Sequence, residues 1–121
     1  MSNDYDLDGI GVVTILAAFD IATHEEAAMQ RDIAVIFDDT CAYVKECVLS
    51  PSERIDFLIN GVGVECKVKG SKNDVLRQLA RYAEFEVIEE LVLVTTRASH
   101  RELDGITLNG KMVHVHWVSR L

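Results

Sequence analysis

The chain of 121 residues has one proline, three cysteines and few cations, with 12 Lys and Arg against 20 Asp and Glu and a formal charge of −8. Each shortage excludes something. Cys41, Cys47 and Cys66 are odd in number and lack metal-motif spacing, so neither a disulfide framework nor a zinc cluster is expected. They read as free, buried thiols in a reducing, cytoplasmic compartment. The negative charge argues against a protein that coats nucleic acid without selectivity, but leaves room for a local basic patch beside an acidic site. The apolar run Ile10–Phe19 is too short to span a bilayer and follows acids rather than Lys or Arg. Neither a membrane partner nor a signal peptide is expected. Glycine-rich phosphate loops, Ser/His/Asp arrangements, repeats and low-complexity tracts are missing. His114 and His116 fall on one strand face, but no third ligand lies nearby, so they read as structural.

What remains is a soluble globular composition, 49% hydrophobic and 26% charged, of a length suited to one domain over 1–121. The most informative stretch is Arg54–Val68. Two β-rich runs flank Asn60-Gly61, a dipeptide that tolerates positive φ and suits a two-residue hairpin turn. Paired residue numbers then sum to 121, so Ile59 faces Val62 and Asp56 faces Glu65 as a close, non-hydrogen-bonded pair about 4.5 Å apart at Cα. Alternation gives one face Ile55, Phe57, Ile59, Val62, Val64, Cys66 and Val68. The other face carries Arg54, Asp56, Leu58, Gly63, Glu65 and Lys67. Facing carboxylates repel. Either they belong to a solvated face, with Arg54 pairing Glu65 and Lys67 pairing Asp56, or a hard divalent cation such as Mg²⁺ compensates them.

Asp56, eight intervening residues and Glu65-Cys66-Lys67 resemble the D…E-x-K signature of the PD-(D/E)xK nuclease superfamily; Ile55 stands where the family name has proline. The resemblance implies an α/β fold: a restriction-endonuclease-like αβββαβ core over 23–118, with a mixed central sheet flanked by helices, preceded by a helical extension over 1–22. It implies a DNA nuclease using Mg²⁺ or Mn²⁺. Asp56, Glu65 and the Cys66 carbonyl would be metal ligands, with Lys67 acting on the attacking water or the phosphate. It also points to the small stand-alone members, phage-encoded, RecB-like or resolvase-like, which favour DNA structure such as a branch over sequence. A catalytically silent binding module and a plain structural domain are the alternatives.

The remaining elements fit that order. Asp8 is placed to cap a first helix that is apolar nearly all round, although Gly9 and Gly11 weigh against it. Its surplus apolar residues (Ile10, Val12, Val13, Ile15, Leu16, Phe19) suggest a homodimer. A second helix opens at Thr23-His24-Glu25-Glu26, where Thr23 and Glu26 fit a capping box. The resemblance offers Glu26, or less readily Glu25, as an acid approaching the metal. A strand is expected over Cys41–Leu49, with Tyr43, Lys45 and Cys47 on one face. After Gly70, Ser71 caps a helix to about Phe85. Gln78 and Tyr82 lie on its edge at i,i+4. They read either as boundary packing or, by resemblance to RecB-like nucleases, as residues bordering the active site. Glu89–Thr96 is a buried strand, and a second Asn-Gly hairpin spans Ile106–Val113. Arg97 and Arg101 follow a strand end, where substrate contacts are common. With Lys69 and Arg81 they are the candidates for phosphate binding.

Overall fold

The computed structural model describes residues 7–119. Helices α1 (Gly9–Ala17) and α2 (Glu26–Thr40) precede strands β1 (Val44–Ser50), β2 (Glu53–Ile59) and β3 (Val62–Lys67). Helix α3 (Lys72–Tyr82), strand β4 (Glu90–Thr95), a 3₁₀ helix over Ala98–Leu103, and strands β5 (Thr107–Leu108) and β6 (Lys111–Trp117) follow. The strands form one six-stranded mixed sheet in the order β1-β2-β3-β4-β6-β5. β1 to β3 are antiparallel, β4 and β6 add in parallel, and β5 pairs antiparallel to β6. One face packs α1 and α2 over Phe57, Val64, Cys66, Val92 and Val94. The other packs α3 over Ile55, Leu91, Leu93 and Val113. β3 and β4 therefore read as the near-continuous apolar runs of strands buried on both faces.

Local chemistry accounts for most boundaries. Asp8 Oδ1 accepts the Gly11 N–H at 2.8 Å and starts α1. The glycines that weighed against this helix have a packing reason at Gly9, where a Cβ would lie 2.3 Å from His114 Cδ2. Removing it lets α1 sit directly on β6. Val12 and Leu16 are fully buried there, while Ile10 and Phe19 stay 65% and 48% exposed. Ser71 caps α3 through the Asp74 N–H, as expected. That helix ends at Tyr82 rather than Phe85, because tightened bonds from Glu84 N–H to Arg81 and Phe85 N–H to Tyr82 close its last turn. Both Asn-Gly turns form, with φ of 48° and 82° at Asn60-Gly61 and 50° and 76° at Asn109-Gly110.

Three expectations need correction. The second helix does not open with a capping box: it starts at Glu26, its N-cap Glu25 makes no side-chain cap bond, and the Glu26 carboxylate is used elsewhere. The thiols are all free, but only Cys66 is buried; Cys41 follows the end of α2 and Cys47 lies on edge strand β1, so both stay half-buried. Strand alternation also breaks midway. Ile55, expected beside Phe57, packs against the α3 face instead. β1, which begins at Val44 rather than Cys41, reverses at the same level. Its Glu46 takes a left-handed φ of 52°, so Tyr43 stays with Phe37 and Phe57 while Cys47 turns to the α3 face. Asp56 is the residue about which β2 reverses.

Candidate active site at the break between β2 and β3

The hairpin register is the expected one from the turn outward: Ile59↔Val62, Leu58↔Gly63 and Phe57↔Val64. There the ladder stops, and carboxylates take over the backbone donors. Asp56 N–H donates to Glu65 Oε1 at 3.3 Å, and Cys66 N–H donates to Asp56 Oδ2 at 2.8 Å. Two side chains thus fill a gap in the sheet, each bonded to the other strand. The rest of the strand pair is anchored on both sides. Phe37, Tyr43 and Phe57 form a ring cluster with centroids 5.3–5.9 Å apart on the α2 face, and Glu65 lies in register with Leu93 of β4.

Around the pair stand most of the residues singled out from the sequence. Lys67 Nζ lies 3.6 Å from Glu65 Oε2, so the lysine pairs with the glutamate rather than with Asp56. Tyr82 Oη lies 3.2 Å from the same oxygen and 3.0 Å from the Arg54 carbonyl, and it accepts from Gln78 Nε2 at 2.8 Å. One hydroxyl proton serves only one of its two acceptors at a time. The edge of α3 therefore reaches the acidic site through a chain from Gln78 to Tyr82 to Glu65. Glu26 Oε1 accepts the Val68 N–H at 3.2 Å, fixing the exit of β3, and its charge is close enough to raise the Asp56 pKa. Glu25, by contrast, is exposed and pairs with Arg31 at 3.6 Å.

The basic candidates divide. Arg81 pairs with Glu53 at 2.8 Å, Arg101 lies over the Trp117 ring at 4.5 Å, and Arg97 and Lys69 are exposed after β4 and β3. His100 was not distinguished in sequence from the loop around it, yet it is fully buried. A lone histidine in a polar stretch gives no periodic signal, so only the tertiary packing reveals it. His114 bonds Glu90 at 2.8 Å, in keeping with a structural role.

Electrostatics set what the site can do. Burial, then repulsion from Asp56, push the Glu65 carboxyl up to about 8 despite Lys67 and the hydrogen bonds it accepts. Burial also raises Asp56, against the Cys66 N–H. The Cys66 thiol is pushed up by burial and by these acids, so it is no thiolate nucleophile. Burial and Glu65 raise Tyr82 as well, keeping its hydroxyl a donor. Among the described residues, no group of three or more His, Cys, Asp and Glu side chains is arranged to hold a metal. The donors on hand are two carboxylates, and Mg²⁺ is commonly held by one or two carboxylates, with water and substrate phosphate completing its shell. Two carboxylates share one partly buried site and the pair is short of positive charge, so the residues fit a hard divalent cation. Comparison with protein-family models, curated proteins and solved structures gives no match.

In EDTA the protein should lose stability as pH rises. Glu65 titrates at about 8 when folded against an ordinary 4.5, so between those values the folded state holds a proton that the unfolded state has lost. The contribution is complete below about 4.5 and disappears through about 8. Thermal melts in EDTA should give a lower Tm at pH 8 than at pH 5, with the difference reduced in Glu65→Gln. A wild-type Tm equal at both pH values, or an equal drop in Glu65→Gln, contradicts this assignment.

Proposed function

We propose that the protein is a Mg²⁺- or Mn²⁺-dependent deoxyribonuclease with a restriction-endonuclease-like αβββαβ core, acting on DNA by its structure, such as a branch, more than by its sequence. The observation that carries this reading is the pair of carboxylates crossing the β2–β3 gap, with Lys67 against Glu65 and Gln78–Tyr82 behind it. A solvated charged face would expose its acids; Glu65 is 4% exposed. Supporting it further is the order helix, three antiparallel strands, helix, parallel strand.

Asp56 and Glu65 would hold the cation, together with the Cys66 carbonyl by resemblance. The bound ion would activate water and offset charge growing on the phosphate. The chain's own groups have distinct tasks. Lys67 brings a positive charge to the carboxylates, where it can stabilise the charged phosphate in the transition state. Tyr82, supported by Gln78, fixes the Glu65 oxygen that Lys67 faces. Glu26 restrains the exit of β3 through the Val68 N–H, which keeps Lys67 in register.

A twofold dimer would supply matched sites for two strands or two junction arms. Its candidate surface is narrower than the apolar pattern of α1 suggested, since Val12 and Leu16 are spent on the sheet and Ile10 and Phe19 remain exposed. Sedimentation equilibrium at micromolar concentration should give twice the chain mass; a single-chain mass removes the dimer. For the chemistry, Asp56→Ala, Glu65→Ala and Lys67→Ala should each cut Mg²⁺-dependent cleavage of four-way-junction or duplex DNA by about 10²-fold or more. Gln78→Ala and Tyr82→Phe should cost less, because they act through Glu65. Full activity in Glu65→Ala, or no cleavage of any single-stranded, duplex, nicked, flap or junction DNA by wild type, overturns the proposal.

A further inference from the structure

The parallel strands β3, β4 and β6 end level with one another: Lys67 pairs with Thr95, and Thr95 with Trp117. In α/β sheets the carboxyl ends of parallel strands are where ligands bind. Just past this edge lies a buried clasp that the catalytic reading leaves unexplained. His100 is 0% exposed, with Nδ1 at 2.7 Å from Thr95 Oγ1 and Nε2 at 2.8 Å from the Gly70 carbonyl. A carbonyl only accepts, so Nε2 carries a proton, and in the neutral ring Nδ1 then accepts from Thr95. The threonine oxygen in turn accepts the Arg97 N–H at 3.0 Å. Every donor has its acceptor, and the chain runs from Arg97 to Thr95 to His100 to Gly70. Gly70 takes φ of +100°, a conformation that side chains rarely adopt.

The clasp ties together the two segments that leave β3 and β4. Lys69 and Arg97 each stand two residues beyond the paired Lys67 and Thr95, where adjacent strands lie about 4.8 Å apart. Both are exposed, and neither side chain has an acidic partner among the described residues. Their neighbours do: Lys72 pairs with Glu102 at 3.2 Å and Arg81 with Glu53 at 2.8 Å. In a chain of net charge −8, two uncompensated cations beside Lys67 are set apart from the surrounding surface.

Resting on the nuclease reading, we propose that His100 is a positioning residue that holds Lys69 and Arg97 as a phosphate-binding pair for the DNA backbone flanking the cleaved bond. Neither cation touches the carboxylate site; the clasp sets their spacing.

The test is the salt dependence of binding, read by anisotropy of fluorescein-labelled four-way-junction DNA in EDTA. Removing one cation from a backbone phosphate lowers the slope of log Kd against log salt by about one. Lys69→Ala and Arg97→Ala should each do so. His100→Asn and Thr95→Val should lower it by about one to two while removing no charge, and Thr95→Ser, which keeps the hydroxyl, should match wild type. Loss of stability alone does not change this slope in the folded fraction, and Thr95→Val keeps the side-chain shape should His100→Asn fail to fold. Wild-type slopes in folded His100→Asn or Thr95→Val, or in Lys69→Ala and Arg97→Ala, overturn the clasp even if cleavage persists. Wild type that neither binds nor cleaves DNA overturns both this inference and the nuclease reading.

Discussion

Asp56 and Glu65 repel each other in a place where little water can screen them, and much of the surrounding structure answers that repulsion. A regular antiparallel pair would leave their carboxylates with nothing but each other. Here the ladder opens, Cys66 N–H reaches Asp56, and Asp56 N–H reaches Glu65. Tyr82 and Lys67 approach the remaining glutamate oxygen. These interactions are insufficient: burial still lifts Glu65 to about 8. A protein that needed only stability would be better served by apolar residues at both positions, since buried ionic groups rarely repay their desolvation. The arrangement is explained if the missing charge arrives with a ligand.

Rigidity around the site follows from its position in the sheet. β3 lies between antiparallel β2 and parallel β4, so the strand carrying Glu65 and Lys67 is held on both edges. The ring cluster of Phe37, Tyr43 and Phe57 fixes the strand carrying Asp56 from the α2 side, while Tyr82 reaches Glu65 from the α3 side. The reversal of faces at Glu46 and Asp56 shapes the candidate site, because it directs the Asp56 carboxylate into the gap rather than toward a helix. Side chains on strands buried in this way are held more precisely than side chains on loops.

Much of this was legible in the chain. Asn60-Gly61 fixed the register that brings Asp56 to Glu65, because few other residues accept two successive positive φ angles. Ser71 could be placed by its capping chemistry after Gly70, and Gln78 and Tyr82 by their i,i+4 spacing on one helix edge. The face reversal was not legible: period-two alternation assumes an unbroken ladder, and the side-chain bonds that break it come from folding. Glu26 fitted a local capping box equally well, and only the approach of α2 to β3 gives its carboxylate the Val68 N–H instead. His100 was hidden for the same reason, since both its partners, Thr95 and Gly70, become neighbours only in the folded chain.

A carboxylate pair short of positive charge should hold a divalent cation. Electron paramagnetic resonance of free Mn²⁺ tests it directly, because ions bound by protein leave the free-ion signal. Wild type should remove Mn²⁺ beyond what its exposed surface acids take up, and Asp56→Asn and Glu65→Gln should each abolish that excess while Asp39→Asn, on the exposed end of α2, keeps it. Equal Mn²⁺ uptake by wild type and both site variants would contradict the account.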